Sequence, residues 1–429
     1  MHILACLAGL YAEKGKKRHG GSCPGRRKCK PRQRAEGYCL LYADYFAEKP
    51  LQDAKTFRRR FRMKRELFND IWLALREYDP YFKCKKDCTG MLGFSAIQKC
   101  TVAMRLLAYG IAGDTADDYL RMAETTAIDC LYRFCRVVVG RFGPTYLRTP
   151  TVEDTARILA VNEARGFPGM LGSIDYMHWK WKNCPFAWQG MYKGHKGGCS
   201  VILEAVATQD LWICHSFFGM AGSHNDVNVL QCSPIFAKLV EGHAPPVNFE
   251  INDHQYNKGY YLADGIYPKW PVFVKTISSP KSEKESTYAK AQEAARKDVE
   301  RAFGVLQQRF AVVRFPAMTW SQSQMWDVMN ACICLHNMIL ENERDDPKEE
   351  EGELYRLGPL AEPDHDVPSS WAAFLAMRQE IRDQNMHYQL RNDLIEHFGP
   401  VEVQMQTQMQ MRQMHDVFAQ VRPYVIQII

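Results

Sequence analysis

Five apolar segments in the second half of the chain constrain its fold most strongly. They cover residues 170–181, 198–208, 211–219, 259–264 and 271–277, and their continuous or alternating apolar patterns predict five strands. Helical spacing of apolar residues follows from about Tyr288 to Phe310 and from Gln322 to Glu343. This order predicts an α/β domain over residues 165–343, in which helices cover a mixed sheet.

The segment before these strands, residues 57–150, has the pattern of a small all-α domain. Apolar spacing over residues 57–76 predicts an amphipathic helix. Ser95, Thr115 and one of Thr125 and Thr126 are suited to cap three further helices, which would end near Ala108, Met122 and Phe142. A short helix before a longer one has the spacing of a helix-turn-helix, so this domain is a candidate for DNA binding. A small helical bundle without a DNA-binding role is the alternative.

Charged residues are distributed unevenly along the chain, with basic residues concentrated near its start and acidic residues in a later segment. Residues 1–65 hold 18 Lys and Arg against 5 Asp and Glu. We interpret residues 1–56 as a basic disordered arm, whose clusters at 14–18 and 26–34 suit nuclear import or contacts with phosphates. A solvated tail is the alternative for this arm, and the nucleus is the expected location. Residues 344–370 predict an acidic linker, and residues 371–429 a C-terminal helix with a Gln/Met-rich tail.

Two classes of protein are disfavoured by composition. No apolar run approaches the roughly 20 residues that would span a bilayer, so no interaction with membranes is expected. The 15 cysteines are odd in number and show no repeated CxxC pairs, which argues against a disulfide scaffold and indicates a reducing compartment.

Acidic residues in the sheet region carry the clearest signal for chemistry. Asp175 lies inside an apolar strand, where an unpaired carboxylate would cost several kcal/mol. Asp264 ends a strand before a glycine, and Glu300 flanks the buried stripe of its helix. Any one of these acids could be a structural ion pair. Together they are oxygen ligands suited to Mg²⁺ or Mn²⁺, and two such ions can activate water for phosphodiester cleavage.

Five motifs give these acids a family context: GSIDYMHWKW, GSHNDVNVL, YYLADGIYP, ARKDVERAFGVLQQRF and ICLHNMI. In combination they resemble the motifs of PIF/Harbinger transposases and of the nucleases derived from them, over roughly residues 60–395. The resemblance implies an RNase H-like fold with a DDE metal site that binds a divalent cation, Mg²⁺ or Mn²⁺. Asp175, Asp264 and Glu300 would be the catalytic triad and metal ligands, with Asp226 as an additional metal ligand. It also implies double-stranded DNA as substrate and a Myb/SANT-like DNA-binding protein as partner.

The predicted function is therefore that of a DDE transposase or transposase-derived endonuclease. A domesticated, non-catalytic DNA- or chromatin-binding protein with the same fold is the alternative, and a homo-oligomer is compatible with either. Two other acids compete for the site, because Asp253 lies between Asp226 and Asp264, and periodicity does not distinguish Asp298 from Glu300.

Other side chains near the motifs have both functional and structural interpretations. Three histidines could assist proton transfer or bind phosphate, or could be satisfied structural residues: His178, His224 and His336. An aromatic and basic group could hold DNA near Asp175, or could be ordinary packing: Trp179, Trp181, Trp188, Lys180, Lys182, Lys193 and Lys196.

Overall fold

The computed structural model describes residues 32–344 and 382–398, apart from residues 88–89, 195–196, 225, 236 and 238–246. A helical region comes first, and a five-stranded mixed sheet with flanking helices follows. This arrangement confirms the predicted mixed α/β class and the helical region before it. No helix in these ranges combines the length and apolar character needed to cross a membrane.

Seven helices precede the first strand within the described residues. Ser95 caps α4 as predicted, because its hydroxyl accepts from the backbone N–H of Gln98 while the Gln98 side chain accepts from the N–H of Ser95. Thr115 precedes α5 but makes no side-chain capping hydrogen bond. The cap predicted at Thr125 or Thr126 is wrong, because α6 begins at Glu124, after Ala123. The helices are α1 Arg34–Tyr45, α2 Ala54–Phe61, α3 Arg65–Tyr78, α4 Ala96–Tyr109, α5 Ala116–Leu120, α6 Glu124–Tyr146 and α7 Val152–Glu163.

The single helix predicted over residues 57–76 is two helices. The chain turns at Arg62, whose φ of 62° is left-handed and ends α2. The turn brings Phe68 of α3 against Phe61 of α2, with ring centroids 4.8 Å apart. Packing of these rings outweighs the continuous helical pattern, because each fully buried phenylalanine contributes about 1.5–3 kcal/mol.

The prediction of a disordered arm over residues 1–56 is wrong for the second part of that range. Helix α1 lies inside that range, and Leu41 and Tyr45 on it are fully buried. Arg32 pairs with Asp117 at 2.8 Å, so the second basic cluster also contacts the folded part. Residues 1–31 of the predicted arm lie outside the described residues.

The sheet contains all five predicted strands. They are β1 Met170–Lys180, β2 Ser200–Ala207, β3 Ile213–Ala221, β6 Tyr260–Ala263 and β7 Phe273–Lys275, in the spatial order β3-β2-β1-β6-β7. The first three strands are antiparallel neighbours, whereas β6 runs parallel to β1 and β7 parallel to β6. The carboxyl ends of three strands therefore meet at one edge of the sheet.

The segment between Asp226 and Asp264 contains a hairpin that was not predicted from the sequence. Strands β4 Phe249–Ile251 and β5 His254–Tyr256 are joined by Asn252 and Asp253, which have φ values of 50° and 66°. Positive φ at both central residues is the requirement of the tight hairpin turn that Asn and Asp tolerate. The hairpin packs on the C-terminal helix, where His254 contacts Asp393 at 2.9 Å.

The remaining helices are α8 Gln189–Tyr192, α9 Asp226–Cys232, α10 Glu283–Arg296, α11 Asp298–Arg309, α12 Ala311–Arg314, α13 Gln322–Arg344 and α14 Gln384–His397. The predicted helix from Tyr288 to Phe310 is thus interrupted at Lys297, which separates α10 from α11. Helix α13 packs against α6 and β3 in a hydrophobic cluster that runs from α1 to the sheet. The helical region and the sheet domain consequently share one core. The acidic linker from residue 345 onward and the Gln/Met-rich tail lie outside the described residues.

Candidate active site

Asp175 and Asp264 lie beside each other at the edge where the parallel strands end. Strand β1 pairs with β6 so that Ser173 is opposite Leu262. Extending this parallel register by two residues sets Asp175 beside Asp264, on the same face of the sheet as Ser173. That face contacts helix α10, because the Ser173 hydroxyl donates to the carbonyl of Ala295 at 2.8 Å. The Asp175 carboxylate therefore projects toward the junction of α10 and α11, and Asp264 lies near enough for its charge to act on Asp175.

Glu300, in the first turn of α11, completes the group. The guanidinium of Arg296 joins it to Asp175, with Nη1 2.7 Å from Glu300 Oε1 and 3.7 Å from Asp175 Oδ2. The same guanidinium also binds Glu293 at 2.8 Å. The cluster therefore contains a buried cation, Arg296, among its carboxylates, and no role for this residue was predicted from the sequence. Arg296 could have been recognised as a partner of Glu300, because it lies four residues, about one helical turn, before that acid in the sequence.

The surroundings of Asp175 disfavour its charged form. Burial is the main cause that raises the pKa of Asp175 from about 3.8 to about 6, and the negative charges of Glu300 and Asp264 add to it. A hydrogen bond from the backbone N–H of Tyr176, 2.8 Å from Oδ1, and the charge of Arg296 act in the opposite direction. The charges of Glu300 and Asp264 thus act on Asp175 although the three residues come from distant parts of the chain.

Asp298, which periodicity could not separate from Glu300, has different surroundings. Its side chain is buried and pairs with Arg165 at 2.8 Å and with Arg301. Burial lowers the pKa of Arg165 to about 10. Asp298 is therefore occupied as a structural counter-ion, whereas Glu300 is 44% exposed beside Asp175.

The two remaining acids from the sequence analysis lie elsewhere or have no described side chain. Asp253 is exposed in the turn of the β4–β5 hairpin. Asp226 is the first residue of α9, and its side chain lies outside the described part of the structure. Its predicted role as a metal ligand stays a prediction.

Another acid, Glu204, is fully buried on β2 and was not singled out from the sequence. It sits opposite Tyr176, so it faces the side of the sheet away from Asp175. Its Oε1 lies 3.2 Å from Nε2 of His215 and accepts a hydrogen bond from Ser233. An acid inside the apolar run SVILEAVA was the available signal, the same one that marked Asp175.

The donor set suits a hard divalent cation, since its ligand atoms are carboxylate oxygens from two strands and a helix. Within the described residues, however, no group of three His, Cys, Asp or Glu side chains is arranged to hold a metal ion. The guanidinium of Arg296 lies at the position between Asp175 and Glu300. The carboxylates thus suit a metal cation in charge and in ligand chemistry. In this conformation the positive charge between them is the guanidinium of Arg296.

Three of the aromatic and histidine candidates are buried with structural partners, namely Trp179, Trp181 and His336. Trp179 and Trp181 are 3% and 2% exposed, and their indole N–H groups donate to the carbonyls of Phe315 and Thr319. His336 is fully buried beside Arg309, and burial lowers its pKa to about 3. His178 contacts the Ser200 hydroxyl at 3.0 Å, and His224 the carbonyl of Ala221 at 3.0 Å. Trp188 and the described lysines of the group remain on the surface.

Comparison with known proteins gives this geometry a family context. Residues 37–76, in the helical region, match a domain of unknown function, DUF8418. No curated protein and no solved structure matches the chain. Residues 144–347 match the family model described as plant transposon protein, and this range contains Asp175, Asp226, Asp264 and Glu300. The match supports a transposase-related family for the part of the chain that carries the predicted carboxylates.

Proposed function

We propose that the protein is a DDE-type transposase or transposase-derived endonuclease, related to the PIF/Harbinger group, that cleaves phosphodiester bonds of double-stranded DNA. The observation that carries the proposal is the meeting of Asp175, Asp264 and Glu300 at the carboxyl edge of β1 and β6. The match to a plant transposon protein family supports the same origin. Three antiparallel strands joined to two parallel ones support an RNase H-like fold.

Asp175, Asp264 and Glu300, with Asp226, are proposed to hold Mg²⁺ or Mn²⁺. Two such ions would supply charge stabilisation for the phosphate and a more acidic water as nucleophile. The chain's own contribution is to hold acidic side chains together in a partly buried place, where their mutual repulsion favours a cation. Arg296 provides positive charge there in the metal-free protein, and its second pairing with Glu293 gives the guanidinium another partner when Glu300 and Asp175 bind a metal.

The basic clusters of residues 14–34 motivate the proposal of a nuclear location, and the sequence resemblance that of a Myb/SANT-like partner. Neither proposal depends on the geometry of the site. A non-catalytic DNA- or chromatin-binding role is the competing function, and the same experiment separates the two.

A nicking assay with supercoiled plasmid tests the proposal, in Mg²⁺ or Mn²⁺ and in EDTA, with and without a co-expressed Myb/SANT-like protein. The wild type should nick DNA only with metal, and Asp175→Asn and Glu300→Gln should not. Asp253→Asn is the matched control, since Asp253 is an exposed acid in a hairpin turn where Asn is also tolerated.

Equal nicking by the wild type and the two site variants would attribute the activity to another site or another protein. Absence of nicking, together with absence of Mn²⁺ binding by calorimetry, would favour the non-catalytic function.

A further inference from the structure

Three cations meet around one tyrosine of the C-terminal helix α14. Lys269 Nζ donates to the hydroxyl of Tyr388 at 2.7 Å and lies 5.3 Å from the centroid of its ring. The guanidinium of Arg391, three residues further along α14, lies 5.1 Å from the same centroid. The hydrogen bond from Lys269 is the main cause that lowers the pKa of the Tyr388 phenol, and the charges of Arg391 and Lys275 act in the same direction. Lys269, Lys275 and Arg391 therefore form one group, the basic cluster.

The basic cluster lies beside Asp264. Lys275 is the last residue of β7 and is opposite Ala263, the last residue of β6. Its side chain reaches beyond the ends of these strands, where Nζ donates to the carbonyl of Gly265 at 2.8 Å. Asp264 is the residue between Ala263 and Gly265, and it is near enough for its negative charge to act on Lys275. Strand β7 is at the edge of the sheet, so the cluster flanks the carboxylate site on that side.

The packing of α14 fixes this arrangement. Leu390 and Leu394 of α14 share a buried hydrophobic cluster with Val274 of β7 and Tyr288 of α10. Arg391 follows Leu390 directly, so the buried leucines hold it at the edge strand. The cations of α14 and of β7 are thus kept together by the core of the domain.

No nearby acid neutralises the positive charge of the basic cluster. Residues 265–282 contain three lysines and no Asp or Glu. The acids of the described C-terminal segment are engaged elsewhere: Asp383 caps α14, Asp393 contacts His254, and Glu396 pairs with Lys284. Within the residues that the structure describes, none of the three cations of the cluster forms an ion pair with a carboxylate.

Cations without acidic partners on a surface suit a polyanion. Lys269 is exposed, and Lys275 and Arg391 are partly exposed. Lysine and arginine contacts with phosphates hold DNA in position without reading its sequence. The carboxylates of the proposed site repel a phosphate, and cations beside them offset this repulsion. The position of the cluster therefore favours the backbone of a DNA substrate as its ligand.

We propose that Lys269, Lys275 and Arg391, held together around Tyr388, bind backbone phosphates of duplex DNA on the flank of the carboxylate site. The inference rests on the proposed function, since it assigns the part of the chain that holds the substrate. It gives a role to α14, which lies outside the residues that match the plant transposon protein family. The cluster positions the DNA and takes no part in breaking the bond.

Binding in EDTA tests the inference independently of cleavage. A fluorescein-labelled duplex is titrated with the full chain at several salt concentrations, and anisotropy is recorded. The double variant Lys269→Gln/Arg391→Gln should reduce the slope of log affinity against log salt by about two units and lower the affinity at low salt at least roughly 10-fold. A second duplex of unrelated sequence should show the same loss, because phosphate contacts carry no sequence information.

Two further variants separate charge from structure. Lys269→Arg/Arg391→Lys keeps both charges and should keep the salt dependence of the wild type. Lys284→Gln is the matched control, because it removes a positive charge beside α14 that Glu396 already neutralises. It should change the affinity less than about 2-fold. Thermal denaturation checks the fold of each variant. If the double variant is destabilised, Lys269→Gln alone, at an exposed side chain, should reduce the slope by about one unit.

An unchanged salt dependence of the variants that remove charge, or an equal loss for Lys284→Gln, would overturn the inference. A loss confined to one of the two DNA sequences would also overturn it, because it would indicate recognition of bases. The nicking assay separates this inference from the proposed function. Nicking by the wild type, with DNA binding that does not depend on the cluster, would keep the nuclease and defeat this inference. Binding that depends on the cluster, without any nicking, would keep this inference and defeat the nuclease.

Discussion

Replacing Asp175 by Asn should stabilise the metal-free protein. The folded state raises the pKa of this carboxyl from about 3.8 to about 6, chiefly by burial. An acid with a raised pKa supports folding only while it is protonated, so its contribution is lost as the pH rises from about 4 through 6. A shift of about two units corresponds to about 3 kcal/mol, which is an upper limit because the side chain is 23% exposed. Asn can keep the hydrogen bond from the N–H of Tyr176 without the charge.

The free energy of unfolding measures this effect, by urea denaturation in EDTA at pH 7.5 and pH 5. We expect Asp175→Asn to be more stable than the wild type by about 1–3 kcal/mol at pH 7.5 and by about half as much at pH 5, where the folded wild type is largely protonated. Asp253→Asn should stay within about 0.5 kcal/mol at both pH values, as for other exposed positions.

Two results would refute the reasoning. A less stable Asp175→Asn variant at pH 7.5 would mean that Asp175 is a structural ion-pair partner of Arg296. A gain of the same size at both pH values would mean that charge repulsion and burial of the carboxylate are not its cause.

Four further predictions concern neighbouring groups and the start of the chain. Asp298→Asn should lower stability by about 3–5 kcal/mol in the same denaturation assay, because it leaves Arg165 buried without its counter-ion. Glu300→Gln should change stability by no more than about 0.5 kcal/mol, since its pair with Arg296 is partly exposed, but should reduce metal-dependent nicking at least about 100-fold. His336 has a pKa lowered to about 3, so its neutral form supports folding above pH 6.5, and about 2 kcal/mol of this support should be lost between pH 6.5 and 5; NMR should find its ring still neutral at pH 5. Deleting residues 1–31 should leave thermal stability unchanged and flatten the salt dependence of DNA binding, whereas deleting residues 1–56 should destabilise the fold by several kcal/mol, because it removes buried Leu41 and Tyr45.

Much of the sheet and of the site could be predicted from the sequence because their signals are local. The five strands of the sheet lie within apolar runs of the sequence. Ser95 and Gln98, which are three positions apart, mark the start of a helix. Asp175 could be recognised because a carboxylate in an apolar strand needs a partner wherever the strand lies in the fold. The hairpin at residues 249–256 was missed because its strands, FEI and HQY, are largely polar, whereas the equally short β7 lies within an apolar run.

Local patterns in the sequence identify the candidate acids, but contacts between distant segments select the ones that come together. Asp298 and Glu300 flank the same apolar stripe, so periodicity treats them alike. Arg165 arrives beside Asp298 from the turn after α7, and packing of the α10–α11 junction on β1 brings Glu300 and Arg296 to Asp175. Likewise, only packing against distant segments shows that Trp179 and Trp181 are buried whereas Trp188 remains exposed. In each case, charge and burial depend on neighbours from distant segments, and a local pattern contains no information about where those segments lie.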